Sequence, residues 1–160
     1  MFNVEETWNN ANAKCKGLGA QLVKIESADE NDFLRRTFLK APTGTYWIGL
    51  TDQEEEEEGK WICTDRSLLG NYSNWGNTNP NNLGNGQHCG HIVKGTDYQL
   101  EGYIFRNYNG EWNDFKCHAQ LEYICEQLSP SPKVRGVFWQ LFSQYEHFVD
   151  WLIAMYLSAI

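Results

Sequence analysis

The stretch Asn107–Glu126, which reads NYNGEWNDFKCHAQLEYICE, decides the fold of this chain. Its Asn-Gly pair is typical of a tight turn, because both residue types tolerate positive φ. Its two cysteines lie eight residues apart, and its last residues alternate like a strand. Between the turn and the cysteines, Asn113 and Asp114 carry side-chain oxygens, the ligand type that hard cations prefer. The stretch therefore predicts a turn, disulfide bonds and part of a cation site, whose partners must come from the rest of the chain.

The composition is that of a folded, acidic protein. The chain has 160 residues, of which 41% are apolar and 14% aromatic, enough for one packed domain with a small appendage. The formal net charge of −8 repels a phosphate backbone, so we expect no nucleic-acid partner. Part of this acidity is the run Glu54–Glu58, which is typical of a solvated loop.

An odd number of cysteines predicts disulfide bonds with one thiol left over. The five are Cys15, Cys63, Cys89, Cys117 and Cys125. None forms a Cys-x-x-Cys pair and the histidines lack zinc-finger spacing, so this pattern predicts no structural zinc site. Widely spaced cysteines indicate an oxidising compartment and hence a secreted, extracellular protein. The N-terminus shows no signal peptide, which leaves a mature, a truncated or a cytosolic chain open.

The hydrophobic pattern predicts an α+β domain, with two helices followed by short strands. Residues 5–19 have helical spacing, and a second helix follows Ser27, whose capping-box partner is Glu30, and stops before Pro42. Strands are predicted over 21–26, 46–50, 60–63, 89–93, 102–105 and 121–125. Residues 65–90 lack periodicity and are rich in Asn and Gly. They predict a long irregular loop, which in a compact domain is usually functional.

The sequence changes character after Pro130 and Pro132. Residues 129–133 are interpreted as a linker, and residues 134–160 carry apolar residues at heptad spacing, which predicts an amphipathic helix. Polar residues interrupt its apolar run, so we expect no membrane span. The helix would pack on its own domain, or on another copy to form a homo-oligomer. An interfacial membrane helix is disfavoured because the polar face lacks Lys and Arg, and a non-native tail is a third interpretation.

The long loop offers oxygen ligands for a hard cation. The candidate ligands are Asn79, Asn81, Gln87, Asn113 and Asp114. The first two flank Pro80, and a cis peptide bond before this proline would turn both amide groups to the same side. The others lie within four residues of Cys89 or Cys117, so a disulfide between these cysteines would bring the set together. The remaining asparagines of the loop are interpreted as turn formers.

Several motifs, in this order along the chain, carry a resemblance to a known family. They are Trp8–Ala11–Cys15 with Gly19-Ala20-Gln21-Leu22-Val23, then Trp47-Ile48-Gly49-Leu50, then Trp75 with Asn79-Pro80-Asn81 and Cys89, and finally Trp112-Asn113-Asp114 with Cys117 and Tyr123-Ile124-Cys125-Glu126. Together they resemble the C-type lectin-like domain over residues 1 to about 127, and we place the domain boundary at residues 1–128. The ordered set with its cysteines is highly specific, whereas any single motif is weak.

The resemblance implies a disulfide-stapled fold and a calcium-assisted sugar site. The disulfides would be Cys15–Cys125 and Cys89–Cys117, and two helices would flank short antiparallel strands. A Ca²⁺ ion in the long loop would coordinate two vicinal sugar hydroxyls. By position its ligands are Asn79, Asn81, Gln87, Asn113 and Asp114, and all of these except Asp114 would also bind the sugar.

This chain departs from the family pattern in ways that weaken the metal site. Asn-Pro-Asn stands where mannose-type members usually carry Glu-Pro-Asn and galactose-type members Gln-Pro-Asp, and Gln87 stands where Glu is usual. Only Asp114 is charged, and Ca²⁺ affinity rises with ligand charge, so we expect weak binding of Ca²⁺. Asn81 and the short loop after it favour mannose- or fucose-type sugars. The alternative is a metal-independent domain that binds protein, ice or mineral surfaces.

An auxiliary Ca²⁺ site of the kind found in this family could use Asp52 and Glu56. Its other expected carboxylate positions hold Asn82 and His88 in this chain. We therefore interpret Asp52 as a loop residue. The first strand of the domain is also expected to be incomplete, because the chain begins about where that strand should end.

The expected function is binding rather than catalysis. The sequence contains no Ser/His/Asp or Cys/His arrangement with the local signature of a nucleophilic enzyme, so we predict that the protein is not an enzyme. Its expected partners are glycans or glycoproteins. Cys63 is the candidate free thiol, interpreted as buried and inert, with an intermolecular disulfide as the alternative. Asn71 begins an Asn-Tyr-Ser sequon that would be glycosylated in a secreted chain.

Overall fold

Two capped helices open the domain. The computed structural model describes residues 4–39, 44–53, 58–95, 98–127 and 138–140. The helices are α1, Trp8–Gly17, and α2, Ala28–Thr37. The hydroxyl of Thr7 accepts the N–H of Asn10 at 3.3 Å, and that of Ser27 accepts the N–H of Glu30 at 3.2 Å. Both predicted helices are confirmed, and each begins at a side-chain N-cap.

Short strands form the rest of the domain. They are β1 (Ala20–Leu22), β2 (Gly44–Thr51), β3 (Ile62–Cys63), β4 (Cys89–Gly95), β5 (Tyr98–Leu100), β6 (Tyr103–Phe105), β7 (Tyr108–Phe115), β8 (Glu122–Tyr123), β9 (Cys125–Gln127) and β10 (Phe138–Gln140). The central sheet has the order β3-β2-β4-β7, with β8 parallel to β2 at one side. Between β3 and β4 the chain forms the predicted irregular loop, with only isolated bridges. The predicted α+β class is confirmed.

The antiparallel pairing of β4 with β7 positions the candidate site. Cys89 lies opposite Phe115, and His91 lies opposite Asn113. The end of the long loop is thereby placed beside the Asn-Asp pair of β7. The turn predicted at Asn109-Gly110 is wrong, because both residues lie within β7 and Asn109 pairs with Lys94 of β4. The Asn-, Gly- and Asp-rich residues of β7 have low strand propensity, so the pairing with β4 decides their conformation instead.

A second sheet has β9 at its centre, with β1 on one edge and β10 on the other. Phe138 lies opposite Gln127 and Gln140 opposite Cys125. The helix predicted for residues 134–160 is therefore wrong over 138–140. The edge of β9 offers unpaired N–H and C=O groups, and pairing with them prevails over the heptad pattern. The rest of that predicted helix and the linker at 129–133 lie outside the described residues.

Two disulfide bonds staple the domain. Cys15 is bonded to Cys125 and Cys89 to Cys117, with Cα–Cα distances of 5.6 and 5.2 Å. The first joins α1 to β9, and the second joins the start of β4 to the segment after β7. Both pairings that the resemblance implied are confirmed. Cys63 is a buried free thiol, and burial raises its pKa, so it is poorly ionised at neutral pH.

Glu126 is a buried carboxyl group in β9 and gives the fold a predictable pH dependence. Its Oε1 accepts hydrogen bonds from Gln21 Nε2 at 2.6 Å and from the Lys24 N–H at 3.0 Å. Burial raises its pKa from 4.5 to about 7, although both hydrogen bonds oppose the shift. The folded state therefore favours the protonated form, and this contribution to stability is present below about pH 4.5 and is lost as the pH rises through about 7.

We expect Glu126→Gln to stabilise the protein by about 2–3 kcal/mol at pH 8 and much less at pH 5. The amide oxygen of glutamine still accepts both hydrogen bonds but carries no charge. Urea unfolding at the two pH values measures the difference. Glu101→Gln, at an exposed position, is the matched control. A gain that is the same at both pH values would contradict the prediction.

Candidate functional site

A cavity of about 320 Å³ lies between the long loop and the strands β6 and β7. Four of the five predicted ligands line it: Asn79, Asn81, Gln87 and Asn113. The rest of its lining is mostly apolar and aromatic, with contributions from Leu83, Tyr103, Ile104, Phe105 and Tyr108. The structure thus brings together amide groups from three parts of the chain.

Asn113 is held by a buried histidine. Its Nδ2 donates to His91 Nε2 at 2.9 Å, across the β4–β7 pair. Burial lowers the pKa of His91 to about 3, so the ring is neutral, and the hydrogen that Nε2 lacks is on Nδ1, which donates to Thr45 Oγ1 at 2.5 Å. Because Nδ2 is hydrogen-bonded to His91, Oδ1 is the atom of the Asn113 amide that is available to a ligand. The sequence did not identify His91 as this positioning residue.

Asp114 binds the backbone of the long loop. Its side chain is buried, and its carboxylate accepts the N–H of Asn81 at 3.0 Å and the N–H of Asn82 at 2.6 Å. Burial raises the pKa of Asp114, although these N–H bonds oppose the shift. The one charged residue of the predicted ligand set therefore also fixes the backbone of the segment that carries the other ligands.

The Asn-Pro-Asn segment has the conformation proposed from the sequence. The Asn79–Pro80 peptide is cis. Asn79 Nδ2 donates to Tyr108 Oη at 2.6 Å, and Asn81 Nδ2 donates to Asn79 Oδ1 at 2.5 Å. Gly76 packs against the Tyr108 ring so closely that a Cβ would lie 2.7 Å from it. Tyr108 is thus a second positioning residue that the sequence did not reveal.

Gln87 binds the loop backbone near the C-terminal end of the long loop. Its side chain is 2% exposed, and its Oε1 accepts the N–H of Leu83 at 3.0 Å. Asn82 acts as the turn former expected of it, because its Oδ1 accepts the N–H groups of Gly86 and Gln87 at 2.6 and 2.8 Å. The N–H of Leu83 thus binds the amide oxygens of both Asn81 and Gln87, two of the four amides that line the cavity.

The other predicted site residues lie elsewhere. Asp52 follows β2 and is buried, with His88 Nδ1 at 3.0 Å from its Oδ1. Glu56, its predicted partner, lies outside the described residues, and Glu58 instead approaches His88, at 3.6 Å. Asn71 is exposed. Within the described residues, no helix combines the length and the apolar character needed to cross a bilayer.

The stapled α+β architecture and the amide-lined cavity in its long loop define a lectin-type domain. The sequence model of the Lectin C-type domain family matches residues 4–127, and the chain belongs to this family.

Relatives and solved structures agree with this assignment. The C-type lectin mannose-binding isoform of Oxyuranus scutellatus is 34% identical over 131 residues, which are 79% of this chain and 73% of that protein. The cow C-type carbohydrate-recognition domain of CD23, solved in the presence of a GlcNAc2Man3 oligosaccharide, is similar with a TM-score of 0.63 and 32% identity, over 81% of this chain and 85% of that one. A calcium-independent type II antifreeze protein is similar with a TM-score of 0.59 and 25% identity, over 77% and 79% of the two chains. Other curated relatives are longer, and the match spans 48% of one and 31% of another.

Proposed function

We propose that this protein is a carbohydrate-binding module that recognises mannose- or fucose-type sugars with the help of a weakly held Ca²⁺ ion. The observation that carries the proposal is the convergence of four amide side chains on one cavity, in front of the buried Asp114 carboxylate. The carbohydrate-binding relatives support the class of ligand. The expected partner is a glycan or a glycoprotein in an extracellular compartment, where disulfide bonds persist.

The donor set fits a hard cation in type and is poor in charge. Asn79, Asn81, Gln87, Asn113 and Asp114 would hold Ca²⁺ through side-chain oxygens, and the bound ion would accept oxygen atoms of two vicinal hydroxyls. Ca²⁺ takes six to eight oxygen ligands, and its affinity depends on how many are charged. With one carboxylate in the set, and with that carboxylate already accepting two N–H groups, the affinity for Ca²⁺ is expected to be low.

The other residues of the cavity orient the sugar. His91 fixes Asn113 and Tyr108 fixes Asn79, so that amide oxygens and N–H groups meet the hydroxyls in a defined arrangement. Leu83 and Ile104 are 56% and 50% exposed at the rim of the same cavity. They provide an apolar surface for the C–H groups of a pyranose ring, which would otherwise contact water.

We expect the protein to be retained on a mannose resin in millimolar Ca²⁺ and to be released by a chelator. Asn113→Ala removes one amide of the cavity and should abolish retention. Asn77→Ala, in the exposed part of the same loop and outside the cavity lining, is the matched control and should be retained like the wild type. Retention that is indifferent to the chelator would overturn the role of Ca²⁺.

A second candidate function is metal-independent recognition of a protein, ice or mineral surface. It is favoured by the largely neutral donor set and by the backbone hydrogen bonds that occupy Asp114. The similarity to a calcium-independent antifreeze protein supports it. Calorimetric titration with millimolar Ca²⁺ separates the two proposals, since the second predicts no saturable heat. The homo-oligomer through residues 134–160 stays a prediction, because most of these residues lie outside the described ones. Light scattering of the full chain measures it.

A further inference from the structure

We propose that Asp52, Glu58 and His88 form a binding site for a divalent transition metal, represented by Zn²⁺, separate from the sugar cavity. The three residues come from different segments: Asp52 directly follows β2, Glu58 ends the acidic run, and His88 directly precedes β4. Their ligand atoms all lie within 4.8 Å of one another. None of the three lines the cavity proposed for the sugar.

The spacing of the donor atoms suits a small metal ion. His88 Nδ1 lies 3.0 Å from Asp52 Oδ1 and 3.6 Å from Glu58 Oε2. Tetrahedral zinc with bonds of about 2.0–2.2 Å to nitrogen and oxygen separates its ligand atoms by about 3.3–3.5 Å. The third pair, Asp52 and Glu58, lies within 4.8 Å, so an ion could enter between these atoms once the partly exposed His88 and Glu58 side chains adjust.

The imidazole decides which class of metal fits. Ca²⁺ and Mg²⁺ take oxygen ligands, whereas one imidazole with carboxylates suits zinc, copper and nickel. His88, which is unsuited to an auxiliary Ca²⁺ site at this place, thus favours a divalent transition metal. Three protein ligands leave a fourth position for water, the arrangement of an open zinc site.

Two of the ligands are held in place before any metal binds. The Asp52 N–H donates to the His88 carbonyl at 3.2 Å, and the Thr51 hydroxyl donates to the same carbonyl at 2.7 Å. Asp52 Oδ2 accepts the N–H of Gly59 at 2.9 Å, which leaves Oδ1 directed to His88. Such outer hydrogen bonds orient metal ligands and contribute to affinity.

The cluster combines one buried ligand with two that solvent can reach. The Asp52 side chain is fully buried, whereas the side chains of His88 and Glu58 are 33% and 54% exposed. His88 also lines a cavity of about 280 Å³ together with His118 and Gln53. A water molecule at the fourth position would have room there. The buried, hydrogen-bonded Asp52 carboxylate, together with the partly exposed His88 and Glu58, distinguishes this cluster from a diffuse acidic surface.

Zn²⁺ titration of the full chain at pH 7.5, in competition with a zinc-responsive dye, tests the proposal. We expect one Zn²⁺ per chain and a rise in melting temperature on zinc addition. His88→Gln and Glu58→Gln should each weaken binding by about tenfold or more and remove that rise. Both side chains are partly exposed, so these variants should fold. His118→Gln lies on the same cavity outside the donor set and should bind like the wild type, and Ca²⁺ should not displace the zinc.

Equal zinc affinity in His88→Gln would overturn the proposal and assign the binding to the acidic surface. Absence of saturable binding, or displacement of zinc by equimolar Ca²⁺, would also overturn it. Sugar binding provides an independent readout, since His88→Gln should leave retention on the mannose resin unchanged. A failure of the zinc site and a failure of the sugar site are therefore distinguishable.

Discussion

Asp114→Asn is expected to weaken Ca²⁺-dependent sugar binding by about a hundredfold or more. The substitution removes the single charge of the proposed ligand set. It also presents an amide NH₂ to the N–H groups of Asn81 and Asn82, which now donate to the carboxylate. Loss of a hydrogen bond to a charged group costs about 1.5–3 kcal/mol, and each 1.4 kcal/mol is a factor of ten in affinity.

Calorimetry with Ca²⁺, followed by titration with methyl mannoside, measures this effect. Asp29→Asn removes the same charge from the exposed first turn of α2 and is the matched control, with wild-type binding expected. Circular dichroism verifies that both variants are folded. If Asp114→Asn bound Ca²⁺ and sugar as the wild type does, the metal would not be held by this residue, and the proposed site would be wrong.

Removing the Cys89–Cys117 disulfide is expected to lower the free energy of unfolding by about 3–4 kcal/mol. The bond closes a loop with a sequence separation of 28 residues, and the chain-entropy relation gives this size for such a loop. The bond also ties the start of β4 to the segment that directly follows β7, and Asn113 and Asp114 lie at the end of β7. We therefore expect the double variant Cys89→Ala/Cys117→Ala to lose sugar binding as well as stability.

Denaturant unfolding of the double variant, compared with Cys63→Ala, measures the contribution of the bond. Cys63 is buried and free, so its substitution tests the loss of a cysteine side chain without the loss of a crosslink. It should cost about 1 kcal/mol, in proportion to the small cavity that it leaves. Similar losses in the two variants would contradict the prediction, because they would show that the crosslink itself contributes little.

Local signals were sufficient for the helices and for four of the residues that line the cavity. Ser27 with Glu30 marked the start of α2 because a capping box is a contact over three residues. The motifs that carried the resemblance also gave both disulfide pairings. In contrast, β7 and β10 were not predicted, because a strand is stabilised by the neighbour it pairs with, and neither Asn- and Gly-rich residues nor a heptad pattern shows that neighbour.

The positioning residues of the candidate site could not be read from the sequence. His91 reaches Asn113 across two strands, and Tyr108 reaches Asn79 over 29 residues of chain. The proposed zinc ligands show the same difficulty, since His88 and Asp52 are 36 residues apart. Spacing rules for metal ligands describe donors on one short segment, so they predicted no zinc site. Only the backbone pairing of β2 with β4 brings these donors together.

The neutral histidine beside Asn113 determines how the sugar site would respond to acidification, as in an endocytic vesicle. His91 is enclosed by the rings of Trp47, Phe105 and Phe115, with centroid distances of 5.3 to 5.8 Å. With a pKa of about 3 it stays uncharged through the whole range that such a compartment reaches. The orientation of Asn113 is therefore unaffected by mild acid.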